Sequence, residues 1–215
     1  MNIGVILSGG NGSRFGSEIP KQYLKLNGSA VIEYSFRAFA DSSMLDACIV
    51  MVSPNYYNER LWYEKYNIVP VLGGDSRNAS LKKAIDYIAE NYPTCKKIFI
   101  HEAARPFLTA AIIDDYINKL EEFDAVITTK KITDSLGSVK EWYVNRDDYF
   151  LIQAPEAFLY TKLRDSFKEE SLITATVQQL PEKSKVYHNF SFVNNLKITY
   201  PEDLIIAEKI MTERK

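Results

Sequence analysis

Apolar runs at residues 3–7, 47–52, 68–72, 97–101 and 124–129 are rich in β-branched residues and nearly continuous. Such runs suit strands that bury both faces, as strands inside a parallel sheet do. Between them lie 31–40, 55–65, 77–91 and 110–122, which have helical length and amphipathic spacing. Strands alternating with helices imply parallel strands joined by crossovers on both sheet faces. The expected class is α/β, a Rossmann-like three-layer fold with a mostly parallel sheet.

The rhythm breaks after Thr129. Residues 130–149 are polar, carry Asp134-Ser135-Leu136-Gly137, and alternate over 138–143. They read as a projecting arm or hairpin within one domain spanning 1–215. Helices are expected at 160–168 and 202–214, and a strand at 186–193. With 215 residues and 46% hydrophobic side chains, the chain can bury a sizeable core. Twenty-six basic against 28 acidic residues leave a net charge of −2, which argues against a nucleic-acid binder. Cys48 and Cys95 are far apart with no CxxC partner, so a zinc site is not expected and Cys48 reads as a buried thiol. The chain opens on a strand without a charged leader, and no run has the length of a membrane span. The expectation is a cytoplasmic protein with no membrane partner.

The first strand runs into Leu7-Ser8-Gly9-Gly10-Asn11-Gly12-Ser13-Arg14-Phe15-Gly16. Ligands of an open parallel sheet sit at the carboxyl ends of its strands, where glycines let main-chain N–H groups close on phosphate oxygens. Arg14 adds a fixed planar donor. The spacing is not GxGxxG, which counts against a dinucleotide site. Pro20-Lys21-Gln22-Tyr23-Leu24 follows, and Lys21 is either a second phosphate clamp or a solvated surface lysine.

Taken together, GGxGxRxG and PKQYLxLxG resemble the cytidylyltransferases of isoprenoid and teichoic-acid biosynthesis, which act on methylerythritol phosphate or ribitol phosphate. Gly73-Gly74-Asp75-Ser76-Arg77-Asn78-Ala79-Ser80 resembles that family's GGxxRxxS. His101-Glu102-Ala103-Ala104-Arg105-Pro106 resembles its HDAARP, and Asn195-Leu196-Lys197-Ile198-Thr199 its NxKIT. The resemblance implies transfer of CMP from CTP, with Mg2+, to a small polyol phosphate. It gives the CTP phosphates to Leu7, Ser8, Gly9, Gly10 and Gly12, with Arg14, Lys21 and Lys197 stabilising charge during transfer. Gly74, Asp75 and Ser80 would read cytosine, and Ala103 would meet the ribose through its main chain. On local grounds Gly74-Asp75 is equally an ordinary turn, and Ser80 a helix-start residue.

Glu102 stands where the family has aspartate and would hold Mg2+; a salt bridge to Arg105 is the local alternative. His101 reads as a packing or hydrogen-bonding residue. On the acceptor side, 145–156 correspond to the family's DRNxxxxxxTPQ. Arg146 is retained and, by resemblance, reaches the acceptor phosphate across a homodimer whose contact is the 130–149 arm. Ala154 and Glu156 replace the threonine and glutamine, and Asn194 replaces an acidic residue. Thr174-Ala175-Thr176 stands for a TDE-like segment, with Thr174 as an acceptor contact. These departures leave two other readings open: a nucleotidyltransferase for another acceptor such as phosphocholine, and a catalytically weakened nucleotide-binding protein.

Overall fold

The computed structural model describes residues 1–9, 15–17 and 19–213. Its main sheet has the order β5-β4-β1-β6-β8-β7-β9. The strands are β1 (Asn2–Leu7), β4 (Ala47–Val52), β5 (Ile68–Leu72), β6 (Lys97–Glu102), β7 (Ala125–Lys131), β8 (Phe150–Leu159) and β9 (Val186–Asn189). A two-stranded ribbon, β2 (Lys25–Leu26) and β3 (Ser29–Ala30), lies outside it. β1 pairs in parallel with β4 and β6, β4 with β5, and β7 with β9. Among the described strands of this main sheet, β8 alone runs antiparallel, between β6 and β7.

Alternation along β1 sets the layers. Ile3, Val5 and Leu7 face a cluster completed by α3 (Arg77–Asn91) and α5 (Tyr160–Ser166). Ile6 faces the opposite cluster, with α1 (Val31–Ala40) and α4 (Ala110–Lys119). Phe36 and Phe99 are wholly buried there, and Ile49 in the first cluster. Each such side chain stabilises the fold by about 1.5–3 kcal/mol. Gly4 is dictated by this packing: a β-carbon on it would fall 2.7 Å from the Phe39 ring. No helix of the described residues is long and apolar enough to cross a membrane.

Three points differ from expectation. The 55–65 helix is a single turn at Pro54–Tyr56 followed by the short α2 (Arg60–Glu64). Tertiary contacts decide this: Tyr63 is buried, its hydroxyl donates to the Tyr56 carbonyl at 2.6 Å, and Trp62 packs edge-on against Phe36. The strand expected at 186–193 stops at Asn189, whose side chain accepts from the Ser191 N–H at 2.9 Å and donates to the Tyr116 hydroxyl at 3.1 Å. The third is β8, which the sequence does not announce because Gln153, Pro155 and Glu156 interrupt its apolar pattern. With β8 in place, 132–149 is the connection of a long β7–β8 hairpin, Lys131 lying opposite Phe150. It holds no strand of its own, only a turn at Arg146–Asp148. The last helix, α6 (Pro201–Glu213), lies within a residue of expectation.

Candidate active site

Two clusters form over the carboxyl ends of the parallel strands. In the first, Leu7 ends β1 and its carbonyl accepts from the N–H of Ala103 at 3.0 Å. A ribose contact by Ala103 would therefore fall to its carbonyl. The next residue, Ser8, is buried; its N–H donates to Met51 at 2.9 Å and its carbonyl accepts from Gln22 Nε2 at 2.7 Å. The Ser8 hydroxyl also lies 3.3 Å from that of Tyr23, whose ring stacks on Tyr56 at 3.6 Å. These contacts fix the turn Lys21–Tyr23, and so Lys21, beside the start of the glycine loop. Gly10, Gly12 and Arg14 lie outside the described residues.

Gly73 and Gly74 arrive from β5 on the other side. The Gly74 N–H donates to Ser80 Oγ at 3.0 Å. A β-carbon on Gly74 would sit 2.5 Å from that of Ala79, so only glycine fits this approach to α3. Ser76 caps α3 by accepting from the Ala79 N–H at 3.0 Å. A β-carbon on Gly9 would lie 3.4 Å from Ser80 Oγ, so Ser8-Gly9 and Gly74-Asp75-Ser80 share one wall, with Asp75 exposed. The expected nucleotide residues that the structure describes are thus brought together.

The second cluster is ionic. Glu102 closes β6 with Oε2 at 2.8 Å from Lys197 Nζ and 3.3 Å from Arg105 Nε, and Oε1 at 3.5 Å from Arg77 Nε. Burial alone would raise its pKa. The cations Lys197, Arg105 and Arg77 outweigh that and hold the carboxyl down at about 2. Lys197 owes its place to a chain of bonds. Arg105 Nη1 donates to the Asn195 carbonyl at 2.7 Å, Asn195 Nδ2 to the Ala154 carbonyl at 2.7 Å, and the Ile198 N–H to the Ala104 carbonyl at 2.9 Å. His101 is wholly buried, with Nε2 at 3.0 Å from the Arg105 carbonyl. Burial pushes its pKa down to about 4, so it stays neutral and serves packing, as expected.

A cavity of about 560 Å³ opens beside this cluster, lined by Arg77, Glu102, Glu156, Thr174 and Lys197 among others. The β7–β8 ladder slips between Ile127 and Thr128, and Gln153 and Glu156, on either side of this irregularity, both line the cavity. Thr174 is therefore placed with Lys197. Arg146 is not: it is exposed on the arm, donating from Nη1 to the Thr133 carbonyl at 2.7 Å. Sequence reasoning gives no role to the side chain of Arg77 and offers Arg105 only as a salt-bridge partner of Glu102, a bridge that the structure forms; each is the arginine of a family motif. Glu156 stands out in the sequence only as a departure from the family pattern.

Mg2+ can be weighed against this donor set. Among the described residues no group of three His, Cys, Asp or Glu could hold a metal. Glu102 is an ionised oxygen donor among cations. Both its oxygens already face cations, so an Mg2+ held mostly by phosphates and water would have to displace one of these partners to gain this carboxylate.

Loops and cations at the strand ends of a mostly parallel sheet, without a GxGxxG turn, suit a phosphorylated ligand other than a dinucleotide. A sequence model of the 2-C-methyl-D-erythritol 4-phosphate cytidylyltransferase family matches residues 3–213. A relative of that name from Thermotoga neapolitana is 31% identical across 99% of this chain and 98% of its own. The bifunctional ribulose 5-phosphate reductase/CDP-ribitol pyrophosphorylase of Haemophilus influenzae is 30% identical over 99% of this chain and 48% of its own length. Among solved structures, 4-diphosphocytidyl-2C-methyl-D-erythritol synthase from Anaerococcus prevotii shares the fold, with a TM-score of 0.83, 24% identity, and coverage of 98% of this chain and 96% of that one. The chain belongs to the 2-C-methyl-D-erythritol 4-phosphate cytidylyltransferase family. It is a CTP-dependent cytidylyltransferase whose acceptor is a polyol phosphate.

Proposed function

We propose that CTP lies with cytosine against Gly74, Asp75 and Ser80 and its triphosphate towards Lys21 and Lys197. The acceptor, 2-C-methyl-D-erythritol 4-phosphate or ribitol 5-phosphate, enters from the cavity lined by Thr174. The observation that carries this is the position of Lys197 and Glu102, at the carboxyl end of β6 and on the wall of that cavity at once. An acceptor phosphate oxygen attacks the α-phosphorus, the bond to the bridging oxygen breaks, and pyrophosphate leaves. A phosphate monoester is already anionic, so alignment and charge stabilisation carry the step without a general base. Lys21 and Lys197 supply positive charge from the protein, and Arg14, by the resemblance, supplies more. Mg2+, held by Glu102 and the triphosphate, would add charge neutralisation. A CTP donor suits an enzyme of the cytoplasm.

Pyrophosphate release tests this. CTP is expected to support turnover well above UTP and ATP, since Gly74, Asp75 and Ser80 offer both donors and acceptors to a base edge. Equal use of the three nucleotides would defeat the base assignment. Presented with a panel of acceptors, the enzyme is expected to use a polyol phosphate. Turnover of phosphocholine alone, or CTP binding without turnover, would replace this reading with one of its rivals.

The arm completes the proposal. Val139 and Trp142 are fully exposed and Tyr143 is 79% exposed, apolar and aromatic surface suited to an interface. The reading is a homodimer in which residues 130–149 cross to the partner and deliver Arg146. Mixing Arg146→Ala subunits with Lys21→Ala subunits should then restore activity above either parent variant, because one site of the mixed dimer regains both cations. Subunit exchange without recovery, or a monomer by sedimentation at assay concentration, would refute delivery in trans.

A further inference from the structure

Glu156 is 2% exposed in the interior of the sheet, opposite Ile100 of β6 and Ile127 of β7. A carboxylate there is costly unless it is paired and hydrogen-bonded. It has both kinds of partner: Oε1 lies 3.2 Å from Arg77 Nη2, and Oε2 accepts the Val177 N–H at 3.0 Å. Arg77 has a further role. Its Nη1 donates to Thr176 Oγ1 at 3.1 Å, and its Nε faces Glu102 at 3.5 Å. One guanidinium thus ties β8, the segment leading to Val177, and the end of β6. Asn78, the next residue of α3, adds a bond to the Ser171 carbonyl at 3.0 Å. Thr174, Ala175 and Gln178 of the held segment line the cavity. Packing alone does not call for a charge at position 156, since an apolar side chain would fill a sheet interior without needing partners.

We propose that Glu156 is a positioning residue for the acceptor: through Arg77 and the Val177 N–H it fixes the 174–178 wall of the cavity relative to Glu102. The proposal rests on the reading that the acceptor enters through this cavity. Removing Glu156 leaves the nucleotide wall of Ser8, Gly9, Gly74 and Ser80 untouched and loosens the acceptor wall.

The test compares Glu156→Ala and Glu156→Gln in the full-length enzyme, with steady-state kinetics in each substrate and hydrogen exchange at the Val177 amide. Glu156→Ala is expected to raise the acceptor KM by about tenfold, the equivalent of one buried hydrogen bond left unmade. The CTP KM should stay near the parent value, and the Val177 amide should exchange faster. Glu156→Gln keeps an acceptor for Val177 and loses the charge facing Arg77. Its acceptor KM should fall between the other two, with Val177 still protected. If Glu156→Ala fails to fold, the Gln variant's acceptor KM against its CTP KM decides between the outcomes. Acceptor and CTP KM rising in parallel would mark a merely structural role and overturn the proposal, as would an unchanged acceptor KM. A parent enzyme that turns over no polyol phosphate would instead defeat the functional reading. Val177 exchange would then decide the hold of Glu156 by itself, and an amide equally protected without the carboxylate would overturn it.

Discussion

Lys21→Ala and Lys197→Ala are each expected to lower turnover by about 10²–10³, the loss typical of a removed electrostatic donor at a site of developing charge. Both should leave the fold intact. The Lys21–Tyr23 turn is anchored by its neighbours, Gln22 on the Ser8 carbonyl and Tyr23 on the Ser8 hydroxyl and the Tyr56 ring. Lys197 is partly exposed, at 35% of its side chain, and its loss leaves Arg77 and Arg105 to hold Glu102. The loss should fall on kcat more than on the CTP KM, because charge accumulates on the phosphates during transfer. Rate measurements at saturating CTP, with thermal melts as the folding control, check this. Near-normal turnover in either folded variant would remove that lysine from the mechanism.

Glu102→Gln has two expected consequences. The parent carboxyl titrates at about 2 when folded, against an ordinary 4.5, so the unfolded chain binds the extra proton first and stability rises with pH through this window. The contribution is fully present above about pH 4.5, fades as pH falls towards 2, and is roughly 3 kcal/mol, since one pKa unit is worth about 1.4 kcal/mol. The variant should therefore be less stable than the parent at neutral pH, with the gap closing in acid. A gap independent of pH in denaturant titrations would show that the ion cluster is not its source. The second consequence is kinetic. The variant should need more Mg2+ for its maximal rate, while discrimination between CTP and UTP survives, because the base wall lies apart on Gly74 and Ser80. A Mg2+ titration and maximal rate matching the parent would exclude Glu102 from the metal site.

The parallel half of the sheet was legible because its strands are local and apolar: β1, β4, β5 and β6 each show in their own composition. The nucleotide wall was legible because its glycines answer to backbone needs that no other residue meets, as Gly74 does against Ala79. β8 was not, because its identity as a strand comes from β6 and β7 on either side and not from its own alternation. Arg77 shows the same limit for the site. Its motif position was plain, but the fact that it joins Glu102, Glu156 and Thr176 depends on groups 25 to 99 residues away in the chain.

The sequence by itself determined the α/β class, the loops at the strand ends and the cytidylyltransferase motifs, all of which are written in short stretches of neighbouring residues. Only the tertiary structure decided that Lys197 sits on Glu102, that Glu156 is buried and paired, and that the arm springs from a β7–β8 hairpin. Those outcomes depend on which distant groups meet in a place poor in water. There an unpaired charge is expensive, and a paired one is held where its partners are.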